Sequence, residues 1–245
     1  MQPFTGKPGS LYYIGHLTSP CSYLPERESS LLFLEGDRLG REYRRLLDEG
    51  FRRHGARAYR PDCPACAECR VLRIPLETFR PSKSQRRAWN RGLGFFRYEI
   101  GKPEYSAEKM ALYRDYLKHQ HDEEEEARPE EFLEKERYED FFVKTMRGLD
   151  TIELRLFRED RLAGIGILDR LEDALSSVYF YFAPEFSRNS PGTYSMLLEL
   201  ELAREWGLAF YYPGYFIREC KTMNYKNRFR PCEHRAPGED VWFRE

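Results

Sequence analysis

The sequence predicts an α+β fold in which a smaller, cysteine-containing N-terminal domain packs against a larger C-terminal one. Three observations lead there. Residues 151–212 alternate between strand-like and helical periodicity. Residues 21–97 hold most of the cysteines and a dense run of arginines. Between them, Lys102-Pro103 interrupts the pattern, which places the domains at 1–102 and 103–245.

The elements follow in order. Residues 37–50 carry Leu39, Tyr43, Leu46 and Leu47 on one helical face, with Gly50 as a stop. Residues 71–76 read as a strand leading into a turn at Pro81, residues 84–91 as a short basic helix, and residues 95–100 as another strand. Ser106 caps a helix to about residue 119, and Glu108 favours its positive end. A second helix is expected over 129–146. Strands are expected over 151–157, 163–169 and 177–182, the first two joined through the polar turn at 158–161. Residues 193–206 place Met196, Leu197, Leu200 and Ala203 on one face of a helix that Gly207 closes, and residues 210–212 form a last strand.

The formal net charge is only −1, yet it conceals a polar division: residues 52–97 are strongly basic, whereas residues 122–140 are acidic, beginning with the run 122–126. No apolar stretch approaches the roughly 20 residues that cross a bilayer. Residues 1–16 lack a basic flank followed by an apolar core. No membrane association and a cytoplasmic setting are therefore expected, with the six cysteines reduced or metal-bound.

Four constellations carry chemistry. Cys63, Cys66 and Cys69, with the more distant Cys21, have the residue types for a tetrahedral sulfur site holding zinc or an iron–sulfur cluster, or are reduced structural thiols. Arg80, Lys83, Arg86 and Arg87, interleaved with serines, suit phosphate contacts, and Trp89 could stack on a base. Pro191-Gly192-Thr193-Tyr194 opens the long helix. The stretch 211–228 is an aromatic strand, a glycine turn and an aromatic-basic tail. The order strand, loop, helix, strand across 177–212 resembles the donor site of GNAT-superfamily acyltransferases, where a helix N-terminus receives a pyrophosphate. The loop 187–193 holds one glycine, fewer than a coenzyme A loop usually needs, so a nucleotide donor of another shape is allowed.

Cys21-Ser-Tyr-Leu-Pro-Glu-Arg27, Gly50-Phe-Arg-Arg53, Tyr59-Arg-Pro61, the cysteine triplet with Arg73-Ile-Pro75, and Ser82-Lys-Ser-Gln-Arg86 resemble the N-terminal region of arginyl-tRNA–protein transferases and their bacterial relatives. Pro191-Gly-Thr-Tyr194, Gly214-Tyr215 and Lys221-Thr-Met-Asn-Tyr225-Lys226 resemble their C-terminal region. The resemblance spans nearly the whole chain. It is strongest to the bacterial aspartate/glutamate leucyltransferase branch, because Cys21-Ser-Tyr-Leu stands where eukaryotic arginyl enzymes typically carry Cys-x-x-Cys.

The resemblance implies transfer of leucine from leucyl-tRNA to proteins with N-terminal Asp or Glu, marking them for degradation, and a GNAT-like C-terminal domain in which the tRNA acceptor end replaces coenzyme A. No cofactor is required for the chemistry: an α-amine has a pKa of about 7.7–8.0, the tRNA ester is activated, and positioning supplies rate. On this reading Arg80, Lys83, Arg86 and Arg87 grip tRNA phosphates. Ser190, Gly192, Thr193 and Tyr194 receive the acceptor end. Tyr181, Tyr212 and Tyr215 line the reaction cavity. Gly214, Tyr225, Lys226 and Arg228 complete the substrate site, with Lys226 or Arg228 on the acceptor carboxylate. Pro191 and Pro213 depart from the family's usual residues at those positions. The alternatives are arginyl transfer to the same acceptors, a coenzyme A-dependent N-acyltransferase, and a non-catalytic RNA-binding protein with a structural metal.

Overall fold

In a computed structural model, which describes residues 12–121 and 135–245, the first described elements are a hairpin of β1 (Tyr12–Pro20) and β2 (Glu28–Glu35). Helix α1 (Leu39–Asp48) follows and buries the predicted face, Leu39, Tyr43, Leu46 and Leu47. Gly50 then takes φ +88°, a left-handed conformation that suits glycine. Strands β3 (Arg52–His54) and β4 (Arg57–Pro61) complete a four-stranded antiparallel sheet of order β1-β2-β4-β3.

The remainder builds an eight-stranded mixed sheet. Its elements are β5 (Arg70–Pro75), α2 (Lys83–Leu93), β6 (Arg97–Gly101), α3 (Ala107–His121), α4 (Lys135–Tyr138), β7 (Asp150–Arg158), β8 (Arg161–Arg170), β9 (Ala174–Phe182), α5 (Pro191–Glu205), β10 (Phe210–Phe216), α6 (Lys221–Asn224), β11 (Glu233–Arg235) and β12 (Phe243–Arg244). The strand order is β12-β11-β5-β10-β9-β8-β7-β6. All ladders are antiparallel except β9–β10.

Two expectations need correcting. The sheets do not divide at residue 102, because β5 and β6 both belong to the large sheet, β5 between β10 and β11 and β6 at the edge beside β7. The second helix ends earlier than periodicity suggested. α4 passes into a π-helical turn over Glu139–Val143, and Lys144 is already extended at ψ 136°. The earlier part of that expected helix and the acidic run 122–126 lie outside the described residues.

Local chemistry explains the helix starts. Ser82 Oγ accepts from the Gln85 N–H at 3.3 Å while Gln85 Oε1 accepts from the Ser82 N–H at 2.8 Å, a reciprocal cap for α2. Ser106 Oγ accepts from the Lys109 N–H at 3.2 Å, as predicted for α3. Helix α2 lies directly on α5 because Gly92 has no side chain: a Cβ there would sit 2.1 Å from the Tyr194 ring.

Helices α2 and α5 cover one face of the large sheet over Leu72, Ile74 and Leu154, with Leu200 of α5 in the same core. The other face carries an aromatic cluster in which Tyr113, Tyr138, Phe142 and Tyr181 pack against Ile165 and Ile167. Helix α1 joins the small sheet to the large one through Tyr43, Leu47, Val71 and Tyr212. A buried ion pair ties the two sheets together: Arg53 Nε on β3 donates to both carboxylate oxygens of Asp169 on β8, at 2.8 and 3.0 Å, and neither side chain is exposed. Thr151 Oγ1 donates to the same carboxylate at 2.8 Å.

Removing one partner of a buried pair leaves the other charge uncompensated. Asp169→Ala should therefore destabilise the protein by about 3–5 kcal/mol in urea unfolding, and the apolar pair Arg53→Met with Asp169→Leu by clearly less. A loss below about 1 kcal/mol for the single variant would contradict a structural role for the pair.

Candidate active site

Strand β10 pairs in parallel with β9 for only three positions: Phe210 with Ala174, Tyr211 with Leu175 and Tyr212 with Ser176. The next residue, Pro213, has no N–H to offer a ladder, and Gly214 turns to φ +104°. After this irregularity β10 continues on β5, pairing Gly214 with Leu72 and Phe216 with Arg70, while β9 stays on β8 as far as Phe182 opposite Gly164. The two strands part, and a cavity of about 490 Å³ occupies the gap. Arg52 reaches in from β3, and its Nη2 donates to the carbonyl of Ser177, the first residue of β9 past the last paired position.

Gly192, Ser195 and Glu199 of α5 form one wall of the cavity, Gly214 and Tyr215 of β10 another, and Met223, Tyr225 and Lys226 after β10 a third. His54 and Tyr59 contribute from the small sheet, and Tyr23 from the loop between β1 and β2. Lys226 is buried, and its Nζ donates to the Tyr215 carbonyl at 3.3 Å and lies 3.6 Å from the Met223 sulfur. Burial, reinforced by Arg52, lowers its pKa to about 7. The positive φ at 214 suits glycine, and a Cβ there would also crowd Lys226 Nζ, at 3.2 Å. Glu199 is buried, with Oε1 accepting from Ser195 Oγ at 2.6 Å and Oε2 from Tyr211 OH at 2.7 Å. Burial raises the pKa of its carboxyl above the usual carboxylate value. Burial lowers the pKa of His54, with smaller contributions from Arg57 and Arg53.

Of the residues expected from sequence, Gly192, Gly214, Tyr215, Tyr225 and Lys226 meet at the cavity. Tyr181 and Tyr212 do not. Tyr181 points to the other face of β9, with its hydroxyl 2.6 Å from that of Tyr138. Tyr212 turns towards α1 and donates to Asp48 at 2.5 Å. The neighbours of Tyr181 in sequence, Phe180 and Phe182, line the cavity, as does Tyr179 on the same face nearer the gap, whereas Tyr181 stays in the aromatic cluster. The Tyr215 hydroxyl is committed to the Gly50 carbonyl at 2.6 Å, so its ring is the part it offers to the cavity.

Tyr194 is core, between Gly92, Trp89 and Phe96, which also accounts for Trp89. Ser190 starts α5 in a left-handed conformation, and Thr193 is half-buried on the same turn, away from the cavity wall. Arg80, Lys83, Arg86, Arg87 and Arg228 are exposed on the outer surface.

Sequence reading missed Arg52, Ser195 and Glu199 as site residues. The available signal was a lone acid, Glu199, amid the apolar run Met196-Leu-Leu-Glu-Leu200, with Ser195 one helical turn before it.

The four N-terminal cysteines lie in one neighbourhood: burial, followed by the thiols of Cys21, Cys63 and Cys66, pushes the Cys69 pKa up to about 12. Cys66 Sγ accepts from Arg27 Nη1 at 3.1 Å, and Cys63 Sγ from the Ser30 N–H at 3.4 Å. Among the described residues no group of three or more His, Cys, Asp or Glu side chains is placed to hold a metal ion. These thiols take no part in the chemistry below.

Residues 19–87 match the family described as arginine-tRNA-protein transferase, N terminus, and residues 108–236 match its C-terminal counterpart. An aspartate/glutamate leucyltransferase of Chromobacterium violaceum is 35% identical over 235 residues, spanning 93% of this chain and 92% of that protein. One of Chromohalobacter salexigens is 37% identical over 224 residues, spanning 89% and 88%. The chain belongs to the arginine-tRNA-protein transferase family. Solved structures overlay loosely. An N-acetyltransferase of Thermoplasma acidophilum in complex with coenzyme A superposes with a TM-score of 0.34 at 17% identity, over 46% of this chain and 75% of that one. That likeness is too slight to bear on fold or function. Among the described residues no helix is long and apolar enough to cross a membrane.

Lys226 gives this transferase-family cavity a pH signature. Its folded pKa of about 7 lies below the unfolded value of about 10.4. Between the two the unfolded chain binds more protons, so this residue makes stability rise with pH from about 7 towards 10. Comparing urea unfolding across that window, Lys226→Met should lose this slope relative to the wild type. An unchanged slope would contradict the burial of an unpaired amine.

Proposed function

We propose that the chain transfers leucine from leucyl-tRNA onto the α-amine of proteins that begin with Asp or Glu. The observation that carries this reading is the cavity between β9 and β10, with Arg52 and Lys226 buried beside it, in a chain that matches both halves of the family. Family membership makes the chain a tRNA-dependent aminoacyltransferase, and its curated relatives, matched over nine-tenths of their length, are named for leucyl transfer to aspartate and glutamate.

The surface suits a nucleic-acid donor. Lys83, Arg86 and Arg87 project from α2, and among the described residues none has an ion-pair partner. Unpaired surface cations are free to replace the counterions of a phosphate backbone. Helix α2 is linked to the cavity walls at two points. Gln85 Nε2 donates to the Arg228 carbonyl at 3.1 Å, in the turn that carries Lys226, and Arg91 Nη1 donates to the Arg188 carbonyl at 3.1 Å, just before α5. A stem gripped along α2 would deliver its 3′ end to the start of α5, an arrangement that supports a GNAT-like donor site.

Inside the cavity the charges favour these substrates. A carboxylate entering beside Lys226 and Arg52 supplies a counter-charge that neither has among the described residues, and a desolvated cation–carboxylate contact is among the stronger polar interactions. The same cations oppose the guanidinium of an arginyl donor, so an aminoacyl group with an uncharged side chain is favoured. The amine then attacks the ester carbonyl, and the tRNA ribose hydroxyl departs. A cytoplasmic setting and a place in N-terminal degradation signalling complete the proposal.

Purified protein should move radiolabelled leucine, and little arginine, from tRNA onto peptides starting with Asp or Glu but not Lys or Arg. Absence of leucyl transfer to the acidic peptides would refute the reading. Arg86→Ala with Arg87→Ala should leave the melting temperature nearly unchanged, since exposed charges contribute little. The double variant should bind tRNA more weakly and with a shallower salt dependence. A large loss of stability with normal tRNA affinity would assign the pair a structural role instead.

A further inference from the structure

Glu199 is the one carboxylic acid among the described residues lining the cavity, whose other ionisable groups are arginines, a lysine, a histidine and tyrosines. It projects from the buried side of α5, between Leu198 and Leu200, where an acid costs free energy and an apolar residue would pack. The fold nevertheless builds a seat for it. Ser195 on its own helix and Tyr211 on β10 each donate a hydrogen bond, one to each oxygen. With Ser177 as a third hydroxyl neighbour, the carboxylate keeps an acceptor position for a further donor. Tyr211 belongs to one of the last paired positions before β9 and β10 separate, which puts the carboxylate at the closed end of the gap.

We propose that Glu199 accepts the proton released by the acceptor's α-ammonium, making it the general base of aminoacyl transfer. The inference rests on the transferase reading given above. The bound acceptor presents R–NH3+, and the nucleophile is R–NH2. One ammonium proton passes to the Glu199 carboxylate, and the freed lone pair attacks the ester carbonyl. As the tetrahedral intermediate collapses, the C–O bond to the ribose breaks. A second proton moves from nitrogen to the departing ribose oxygen, the third stays as the amide N–H, and Glu199-H returns its proton to solvent. Each turnover releases one proton.

The surroundings suit this task. The groups facing Glu199 from the packed elements are all neutral: Ser195 on α5, Ser177 on β9, Tyr211 on β10 and Tyr225 after α6. Burial raises the carboxyl's pKa, with smaller opposing contributions from the three hydroxyls of Ser195, Tyr211 and Ser177. That brings the acid towards the pKa of the amine it serves and lessens the mismatch in proton transfer. Arg52 and Lys226 meanwhile offer a place for the acceptor's carboxylate on another wall, so the amine and the acidic side chain of one residue would have separate partners.

The test is Glu199→Gln, which keeps size and shape and removes the proton acceptor; its amide oxygen can accept one of the two hydroxyl hydrogen bonds, and its NH2 can donate to the other hydroxyl once that O–H has rotated. Leucyl transfer by the wild type is measured first, so that failure of the transferase reading appears there and not in the variant. At pH 7 the variant should lose roughly 100-fold or more in kcat, the usual contribution of a general base, while uncharged tRNA binds with unchanged affinity and the melting temperature is maintained. The acid limb of its pH–rate profile should move up to the amine's own pKa, about 7.7–8.0, because only amine already deprotonated in solution can react. A merely structural role would not move that limb. If the Gln variant fails to fold, Glu199→Asp should fold, lose less activity and keep the wild-type limb. Activity within threefold of wild type in the Gln variant, or an unmoved acid limb in the Gln variant, or a displaced limb in the Asp variant, would overturn the proposal.

Discussion

The early end of the β9–β10 ladder is the constraint on which the rest of this structure depends. Parallel pairing stops at Ser176 and Tyr212, and the next residue of β10 is a proline followed by a glycine at positive φ. An unpaired strand inside a sheet leaves polar backbone groups that need partners. Arg52 supplies one by donating to the Ser177 carbonyl, and it can do so because α1 and β3 bring the small sheet against this part of the large one. The buried Arg53–Asp169 pair fixes β3 to β8 one residue further on. Adjacent arginines thus hold the small sheet in place and cap the gap.

The cavity that results is unusual in its charges. Two cations are largely removed from water, and Lys226 is shifted towards neutrality by that removal and by Arg52. Such groups are costly unless something compensates them. A substrate carboxylate is one compensation, which makes the cost of the empty site a source of selectivity for acidic acceptors. Glu199, seated by neutral hydroxyls on a different wall, is positioned for the chemistry of the amine. The basic face of α2 stays outside, where its cations are solvated and available to phosphates.

Much of the fold was legible because its elements obey simple periodicities. Helices α1, α3 and α5 fell where Leu39/Tyr43/Leu46, Ser106 and Met196/Leu200 placed them, and β7, β8 and β9 followed their apolar runs. The small sheet was not legible: β3 and β4 are short and arginine-rich, and Arg52 and Arg53 of β3 are buried by tertiary partners rather than by local pattern. The domain boundary was misplaced for a related reason, since β5 and β6 find their partners far along the chain. Within the site, the glycine turn and Lys226 were legible from motif, whereas Tyr181 and Tyr212 were misassigned because being in a strand does not reveal which face a residue occupies. Glu199 was overlooked because a single acid in an amphipathic helix ordinarily faces water.

The central claim is that the reaction takes place between the parted strands. A crystal structure with the hydrolysis-resistant donor 3′-leucylamino-3′-deoxyadenosine and a peptide beginning with Asp tests it most directly. The account predicts both ligands in the gap, with the aspartyl carboxylate beside Lys226 and Arg52 and the peptide amine towards Glu199. Ligands bound instead in the polar pocket formed by Arg45, Gly50, Arg60 and Arg235, with the strand gap empty, would contradict it.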